Sequence, residues 1–131
     1  IAPGKRPLSS MSPTFVEDDR GILILGTPGG SRIISMVLLA ILDYVHNPNA
    51  NLQRMLNAPR YHHQFSPNRI ELEPNGFSKE IRDELELKGH ELAISHRLWG
   101  NMQAVFIDKQ TGQLSAASDP RGNGRGTILY H

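Results

Sequence analysis

The sequence predicts an α+β fold in which all 131 residues form a single domain. The first observation behind this prediction is the mixed order of strand-like and helix-like segments, with strands paired as hairpins and no regular βαβ units. The second is a composition of 38% hydrophobic and 21% charged residues. That composition is ordinary for a globular chain that buries one core.

The first predicted elements are two strands and a long helix. Residues 14–16 and 22–27 are rich in strand-forming residues, and a polar segment ending in Gly21 separates them. We therefore expect an antiparallel hairpin. Residues 31–45 follow as a helix that is apolar on nearly every face. A helix of this kind is expected to be buried between two layers, with a cover on each side.

A second, short helix is predicted after residue 51. The segment Asn-Ala-Asn at residues 49–51 caps it, and Pro59 stops it near residue 57. One apolar face is expected, formed by Leu52, Met55 and Leu56.

A half-buried strand is predicted at residues 69–73, where polarity alternates. Ser78 then caps an amphipathic, exposed helix that runs to Lys88, and Gly89 ends it. Glu84 precedes Lys88 by four residues, so we expect an ion pair between them. The inward positions of this helix are Ile81 and Leu85.

The last predicted elements are a second hairpin and a tail. Residues 102–107 and 114–117 are strand-like, and the segment between them contains residues that tolerate turn conformations. Three glycines alternate with polar residues at positions 122–126, which predicts a loose, flexible tail.

Composition excludes several classes of partner. Fourteen Lys and Arg against thirteen Asp and Glu give a net charge of +1, so there is no overall field for nucleic acid or acidic lipid. The longest apolar run, residues 33–45, is too short to span a bilayer. No cysteine is present, and the six histidines lack metal-site spacing, so they are predicted to be structural or exposed. The chain starts at Ile1 without an initiator Met, which favours a fragment.

The strongest functional signal is the sequence GTPGGSR at residues 26–32. It lies between the apolar strand and the apolar helix. Gly29 and Gly30 have no side chain to block the backbone, so N–H groups at the helix start are free to face an anion. A hydroxyl-rich cluster that contains Ser9 and Ser10 precedes the first strand. Together these segments predict one site for an anionic substrate.

Simpler interpretations of both segments stay open. Hydroxyls before a strand often only close a turn, and Pro-Gly-Gly can be a tight strand-to-helix connection. A nucleotide-binding P-loop is excluded, because Thr27 and Pro28 stand where Lys and Ser or Thr are required. The sequence also contains no nucleophile elbow.

Four motifs resemble, in the same order, those of the γ-glutamyltranspeptidase family. They are KRPLSSMSPT at residues 5–14, GTPGGSRII at 26–34, NAPRYHHQ at 57–64 and ASDPR at 117–121. The resemblance covers nearly the whole chain and corresponds to the C-terminal part of that family's small subunit. It implies that the chain is part of a four-layer αββα N-terminal-nucleophile hydrolase sandwich. The family's precursor cuts itself into a large and a small subunit.

The resemblance also implies an activity and residue roles. In this family the new N-terminal Thr of the small subunit attacks the γ-glutamyl amide of glutathione and related compounds. Water or an acceptor amine then resolves the γ-glutamyl-enzyme. At the matched positions, Ser9 and Ser10 bind the substrate α-carboxylate, and the backbone N–H groups of Gly29 and Gly30 form the oxyanion hole. The implied partners are a small γ-glutamyl substrate, the large subunit and the rest of the small subunit, without cofactor or metal.

Further expectations follow from the resemblance. None of the four threonines is N-terminal, so the isolated chain is expected to be inactive. Unpaired sheet edges would favour a dimeric or domain-swapped fragment. A periplasmic or secreted location is implied, with the cytoplasm left open. Arg60 and Arg121 are predicted to be structural, tying loops to carboxylates or carbonyls.

Two alternative functions remain at this point. One is a related acylase that acts on another amide, such as a cephalosporin side chain or poly-γ-glutamate. The other is a non-catalytic binding or assembly domain of the same fold.

Overall fold

Two β-sheets and three α-helices make up the described structure. The structure is a computed structural model that describes residues 1–47 and 51–129. Its elements are, in chain order, β1 (Thr14–Glu17), β2 (Gly21–Gly26), a 3₁₀ turn (Gly30–Arg32), α1 (Ile33–His46), α2 (Leu52–Asn57), β3 (Tyr61–Gln64), β4 (Arg69–Leu72), α3 (Lys79–Leu87), β5 (Leu92–Ile94), β6 (Gln103–Asp108) and β7 (Leu114–Ser118). The α+β class is confirmed.

The first sheet contains both predicted hairpins. Its strand order is β1-β2-β6-β7, and every neighbouring pair is antiparallel. Leu23 and Leu25 of the central strand β2 are buried, while the neighbouring Ile22 and Ile24 are only half-buried. This alternation follows from the two-residue period of a strand, which sends successive side chains to opposite faces.

Helix α1 packs one apolar stripe on this sheet. The stripe has helical spacing and consists of Ile33, Met36, Val37, Ala40 and Tyr44. On the opposite side, Ile34, Leu38 and Val45 are 60%, 53% and 54% exposed. The expectation that α1 is covered on both sides is therefore wrong for the described residues. They place a sheet under one side of the helix and leave much of the other side open.

The second sheet has the order β3-β4-β5 and contains an unpredicted connection. Strand β4 pairs with β5 in parallel, and α3 makes the crossover, so this part is a βαβ unit. The expectation that such units are absent is corrected here. Strands β3 and β5 were not predicted either. Strand β3 has the sequence YHHQ, which shows no apolar alternation, and β5 is only three residues long.

The caps of the two short helices agree with the sequence. Asn51 Oδ1 accepts a hydrogen bond from Arg54 N at 2.8 Å, and Ser78 Oγ accepts from Ile81 N at 3.4 Å. Residues 49 and 50 of the predicted cap lie outside the described residues. Ile81 and Leu85 of α3 face an open apolar cleft of about 560 Å³ between α1, α3 and the second sheet.

The ion pair expected between Glu84 and Lys88 is replaced by another. Lys79 Nζ lies 2.5 Å from Asp83 Oδ2, at the start of α3. Lys88 is the C-cap residue of α3, and its N–H still donates to Glu84 O at 3.1 Å, so the two residues keep their i,i+4 spacing. Their side chains nevertheless form no ion pair in the described structure, and this prediction is wrong.

The glycine-rich tail lies against the sheet, which corrects the prediction of a loose tail. A Cβ added to Gly126 would lie 2.7 Å from the backbone of Ala116 in β7. A Cβ added to Gly122 would collide with the side chain of Asn101. The glycines therefore permit a close approach of the tail to its neighbours. Within the described residues, no helix is long and apolar enough to cross a membrane.

Candidate functional site

The structure brings the two predicted site segments to the same end of the first sheet. Strands β1 and β2 are antiparallel, and Thr14 lies opposite Leu25. The segment before β1 and the segment after β2 therefore leave the sheet at one end. Ser9 and Ser10 belong to the first segment, and the glycine turn, defined as residues 27–30, belongs to the second.

The serine hydroxyls are largely uncommitted. Ser9 Oγ accepts a weak hydrogen bond from Met11 N at 3.4 Å. The hydroxyl of Ser10 makes no hydrogen bond to any residue that the structure describes, although its carbonyl accepts from Ser12 Oγ at 3.1 Å. Ser9 is exposed and Ser10 is half-buried. Both hydroxyls can therefore donate to a ligand.

The glycine turn needs glycine at two positions for different reasons. Gly29 has φ 151° and Gly30 has φ 61°, values that residues with a Cβ rarely adopt. A Cβ on Gly29 would also collide with the Met36 side chain, whereas Gly30 faces open space. Conformation and packing thus both favour glycine at 29, and conformation alone favours it at 30.

The turn leaves two backbone donors free. Arg32 N donates to Gly29 O at 3.3 Å, and Ile33 N donates to Gly30 O, so the helical hydrogen bonds use only carbonyls of the two glycines. Among the described residues, none accepts a hydrogen bond from the N–H group of Gly29 or Gly30. Both glycines are exposed. These N–H groups are consequently available to an anion at the helix entry.

Side chains on both sides of the turn hold it in place. Thr27 Oγ1 donates to Pro28 O at 2.9 Å and accepts from Asn101 N at 3.0 Å. Arg32 pairs with Glu71 of β4, and its guanidinium carbon lies 4.9 Å from the centre of the Trp99 ring. The hydrogen bond from Arg32 holds the pKa of Glu71 below its usual value.

A cluster of four charged side chains lies beneath this end of the sheet. We call Arg60, Glu73, Asp119 and Arg121 the buried charge cluster, since none of these side chains is more than 7% exposed. Arg60 Nη2 lies 2.6 Å from Asp119 Oδ2, and Arg121 Nη2 lies 2.5 Å from Glu73 Oε2. A third pair joins Arg121 Nη1 to Asp119 Oδ1 at 3.1 Å. The two positive charges of the arginines balance the two negative charges of the carboxylates.

The cluster also binds backbone groups of several loops. Arg121 donates to Leu56 O at 2.9 Å and to Ala58 O at 3.0 Å, and Arg60 donates to Trp99 O. These contacts confirm the prediction that both arginines tie loops to carboxylates and carbonyls. The sequence did not indicate that the two arginines share one cluster.

Hydrogen bonds stabilise the charged forms of Asp119 and Arg121 in the cluster. Burial by itself raises the pKa of Asp119, but N–H donation from Met102 and Arg121 and the Arg60 guanidinium outweigh it. The net pKa of Asp119 therefore lies below the usual value. Burial lowers the pKa of Arg60, while Glu73 and Asp119 raise the pKa of Arg121 above its usual value despite burial.

One histidine is paired with a serine in the interior. His62 Nε2 lies 2.8 Å from Gln64 Oε1, and its Nδ1 lies 2.7 Å from Ser35 Oγ. The amide oxygen can only accept, so Nε2 carries the proton and the Ser35 hydroxyl donates to Nδ1. Both ring nitrogens of His62 are therefore occupied by neighbouring side chains. No cluster suited to a metal ion occurs in the described part of the chain.

Sequence reasoning found the glycines and serines but not the groups that hold them. Arg32 and Glu71 were not proposed as site residues. The sequence indicated no role for Thr27 beyond its place in the motif GTPGGSR. Arg32 and Glu71 are 39 positions apart in the chain, and Thr27 and Asn101 are 74 positions apart. No periodicity or local motif reveals contacts of that kind.

Comparison with known proteins gives a consistent result. The family model described as "Gamma-glutamyltranspeptidase" matches residues 1–129. A glutathione hydrolase proenzyme of Escherichia coli K12 is 42% identical over 122 residues, which are 92% of this chain and 20% of that protein. The capsule biosynthesis protein CapD proenzyme of Bacillus anthracis is 32% identical over 124 residues, covering 93% of this chain and 23% of that protein. This chain spans about a fifth of the length of these relatives.

A solved structure shows the same similarity in three dimensions. A mutant γ-glutamyltranspeptidase of Pseudomonas nitroreducens superposes with a TM-score of 0.84 at 37% identity. The match covers 100% of this chain and 68% of that chain. The likeness confirms the expected place of the fold within the N-terminal-nucleophile hydrolase sandwich.

Proposed function

Because the chain belongs to the γ-glutamyltranspeptidase family, we propose that it supplies the carboxylate-binding and oxyanion-binding elements of a γ-glutamyltransferase or glutathione hydrolase. The observation that carries this proposal is the pair of free N–H groups on Gly29 and Gly30, at the same end of the sheet as Ser9 and Ser10. Donors of two kinds at one end suit a substrate with a carboxylate and a scissile carbonyl.

In this proposal the glycine N–H groups act in the chemical step. When a nucleophile attacks the γ-glutamyl carbonyl, negative charge develops on its oxygen. Backbone donors on a fixed turn stabilise that charge without reorganising, and they contribute little before the charge forms. Loss of one such donor typically lowers the rate by about 10²–10³-fold.

The serines have a different proposed task. The α-carboxylate of a γ-glutamyl group is charged before, during and after the reaction. The hydroxyls of Ser9 and Ser10 therefore bind the ground state and the transition state alike, so their removal weakens substrate binding. A loss of rate accompanies this only if the scissile carbonyl is displaced.

The nucleophile is proposed to come from the remainder of the small subunit, which with the large subunit completes the site. The exposed apolar side of α1, with Ile34 and Leu38, supports a contact with a further protein layer. We propose that the chain alone is inactive, and that the whole protein works in the periplasm or outside the cell.

A second candidate substrate is another amide. The similarity to the CapD proenzyme favours this possibility, because that relative is named for capsule biosynthesis and the E. coli relative for glutathione hydrolysis. The same turn and serines would serve it, because any acyl transfer develops an oxyanion. A non-catalytic assembly domain is the outcome expected if no acylation occurs at all.

The test is acylation kinetics in the full-length protein. A chromogenic γ-glutamyl anilide reports the first turnover. We expect Gly30→Ala to lower the acylation rate far more than substrate affinity, and Ser10→Ala to weaken affinity for a glutamate analogue. The matched glycine control is Gly112→Ala at the far end of the sheet, because Gly112 has φ 71° and, like Gly30, faces open space.

The control for the serine variant is Ser115→Ala on the exposed side of β7. Acylation by Gly30→Ala at the parent rate would overturn the oxyanion assignment. Unchanged glutamate affinity in Ser10→Ala would overturn the carboxylate assignment. In either case the affected segment is only a turn.

A further inference from the structure

The hydroxyl of Thr27, immediately before the glycine turn, both donates and accepts a hydrogen bond. Its Oγ1 donates to Pro28 O at 2.9 Å and accepts from Asn101 N at 3.0 Å. The first contact is local and the second spans 74 positions of the chain. The hydroxyl thus connects the carbonyl that precedes Gly29 to a distant loop.

Holding the Pro28 carbonyl also determines the direction of the Gly29 N–H group. Both belong to one planar, trans peptide unit, in which the C=O and N–H bonds point in opposite directions. A hydrogen bond that orients the oxygen therefore orients the donor on the other side of the same plane.

This peptide unit has little else to orient it. Proline restricts its own φ but not its ψ, and Gly29 tolerates φ values on both sides of zero. The 28–29 peptide can therefore rotate at low cost. Since the Gly29 N–H makes no hydrogen bond with the described residues, the Thr27 hydroxyl is the contact that selects one orientation.

The partner of Thr27 is itself rigidly held. Trp99 N donates to Glu73 Oε1 at 2.7 Å, and Met102 N donates to Asp119 Oδ2 at 2.8 Å, so both ends of the 99–102 loop are bound to the buried charge cluster. Gly100 has φ 82°, and a Cβ there would lie 2.7 Å from Thr27 Oγ1. Glycine at 100 thus lets the loop come close enough for Asn101 to reach Thr27.

We propose that Thr27 is a positioning residue, which aims the Gly29 N–H at the oxyanion by holding the Pro28 carbonyl against the loop anchored on the buried charge cluster. This inference rests on the proposed oxyanion role of the Gly29 N–H. It assigns no contact between Thr27 and the substrate.

The experiment compares Thr27→Val with Thr27→Ser in the full-length protein. Valine keeps the shape of threonine and removes the hydroxyl, while serine keeps the hydroxyl. We expect Thr27→Val to lower kcat about ten- to a hundredfold, with KM changed by less than about twofold. The expected loss of rate is smaller than that for complete removal of the donor, because a misdirected N–H group still stabilises the oxyanion in part. Thr27→Ser should stay close to the parent.

A binding measurement separates aiming from folding. A γ-boronic acid analogue of glutamate becomes tetrahedral on the nucleophile and presents a charged oxygen, whereas glutamate itself does not. We expect Thr27→Val to weaken boronate affinity by about the same factor as kcat and to leave glutamate affinity unchanged. The ratio of the two affinities is measured on folded molecules, so partial unfolding of the variant does not alter it.

The outcomes distinguish this inference from the proposed function. If Gly30→Ala, whose Cβ meets no neighbour, loses acylation and boronate affinity while Thr27→Val keeps both, Thr27 has no positioning role and the oxyanion assignment stands. If Gly30→Ala also keeps both, the proposed function fails and the inference fails with it. An equal loss in Thr27→Ser and Thr27→Val would overturn the inference, because the hydroxyl would not be the cause.

Discussion

The two ends of the first sheet both carry arginine–carboxylate pairs, but the pairs differ in burial. At the end with the glycine turn, the Arg60–Asp119 pair is at most 5% exposed. At the opposite end, Arg20 Nη2 lies 2.6 Å from Asp18 Oδ2, and these side chains are 30% and 35% exposed. The chemistry is similar, while the solvent around it is not.

The pairs also differ in what they connect. The buried cluster joins residues that are up to 61 positions apart, from Arg60 to Arg121. The exposed pair spans two positions and mainly shapes the turn between β1 and β2. An ion pair in water contributes little, whereas breaking a buried one leaves an uncompensated charge. The candidate site is therefore attached to the end of the sheet where buried ion pairs join distant segments.

The exposed end also has long-range contacts, one of them through Tyr44 of α1. Tyr44 OH donates to Asp18 Oδ1 at 2.9 Å, and the Arg20 guanidinium carbon lies 3.9 Å from the centre of the ring. Burial, followed by the hydrogen bond to Asp18, raises the pKa of Tyr44 to about 12. The hydrogen bond from Arg20 holds the pKa of Asp18 well below its usual value.

The largest effect is expected from Glu73→Gln in the buried charge cluster. The carboxylate of Glu73 accepts hydrogen bonds from Arg121, from Trp99 N and from Arg60 N. In glutamine an NH₂ group replaces one carboxylate oxygen, so it would face groups that can only donate. We expect the free energy of unfolding, measured with urea, to fall by about 3–5 kcal/mol. The control is Glu17→Gln, because the Glu17 side chain pairs with Lys109 and is 63% exposed. We expect this variant to lose only about 0–1 kcal/mol of unfolding free energy. Equal losses would remove the contrast between the two ends.

A smaller effect is expected from acid, which removes the contribution of the Asp119 carboxylate to the stability of the buried end. The pKa of Asp119 is lower in the folded than in the unfolded protein, so its contribution is complete above the unfolded value of about 3.9. It is lost as the pH falls through the native pKa. The difference in unfolding free energy between the parent and Asp119→Asn should therefore narrow below about pH 4.

Lowering the pKa of Asp119 by one on folding corresponds to about 1.4 kcal/mol in the difference in unfolding free energy between the parent and Asp119→Asn. Urea unfolding between pH 7 and pH 2 measures it for both proteins. A difference that stays constant over this range would show that the ionised form of Asp119 has no special stabilisation.

The smallest effect is expected at the exposed end, from Tyr44→Phe. The change removes the hydroxyl that donates to Asp18 and keeps the ring that packs on the core. We expect a loss of about 0.5–1.5 kcal/mol in unfolding free energy. Tyr61→Phe is the matched control, because the Tyr61 hydroxyl makes no hydrogen bond among the described residues. A loss from Tyr44→Phe as large as that from Glu73→Gln would contradict the proposed ranking of the two ends.

The parts of the fold that could be predicted are those with local causes. The β1–β2 and β6–β7 hairpins follow from strand-forming residues around turn segments, and both short helices begin at capping side chains. Strands β3 and β5 escaped prediction because their residues become strands only by pairing with β4. Their sequences have too little alternation to indicate this by themselves.

The candidate site divides in the same way. Glycine at 29 and 30 and the hydroxyls at 9 and 10 could be identified from the sequence, because conformational freedom and hydrogen-bonding capacity are properties of single residue types. The antiparallel register of β1 and β2 brought the two segments to one end. The role of each segment in binding remains a prediction.

Most elements, the family and the residue types at the glycine turn could be predicted from the amino-acid order. The meeting of Arg60 and Arg121 in one buried cluster and the contact of Asn101 with Thr27 are visible only in the folded chain. A turn or a cap depends on neighbours within about four residues, which the sequence places side by side. Burial and long-range hydrogen bonds depend on which distant segments pack together, and that is a property of the whole folded chain.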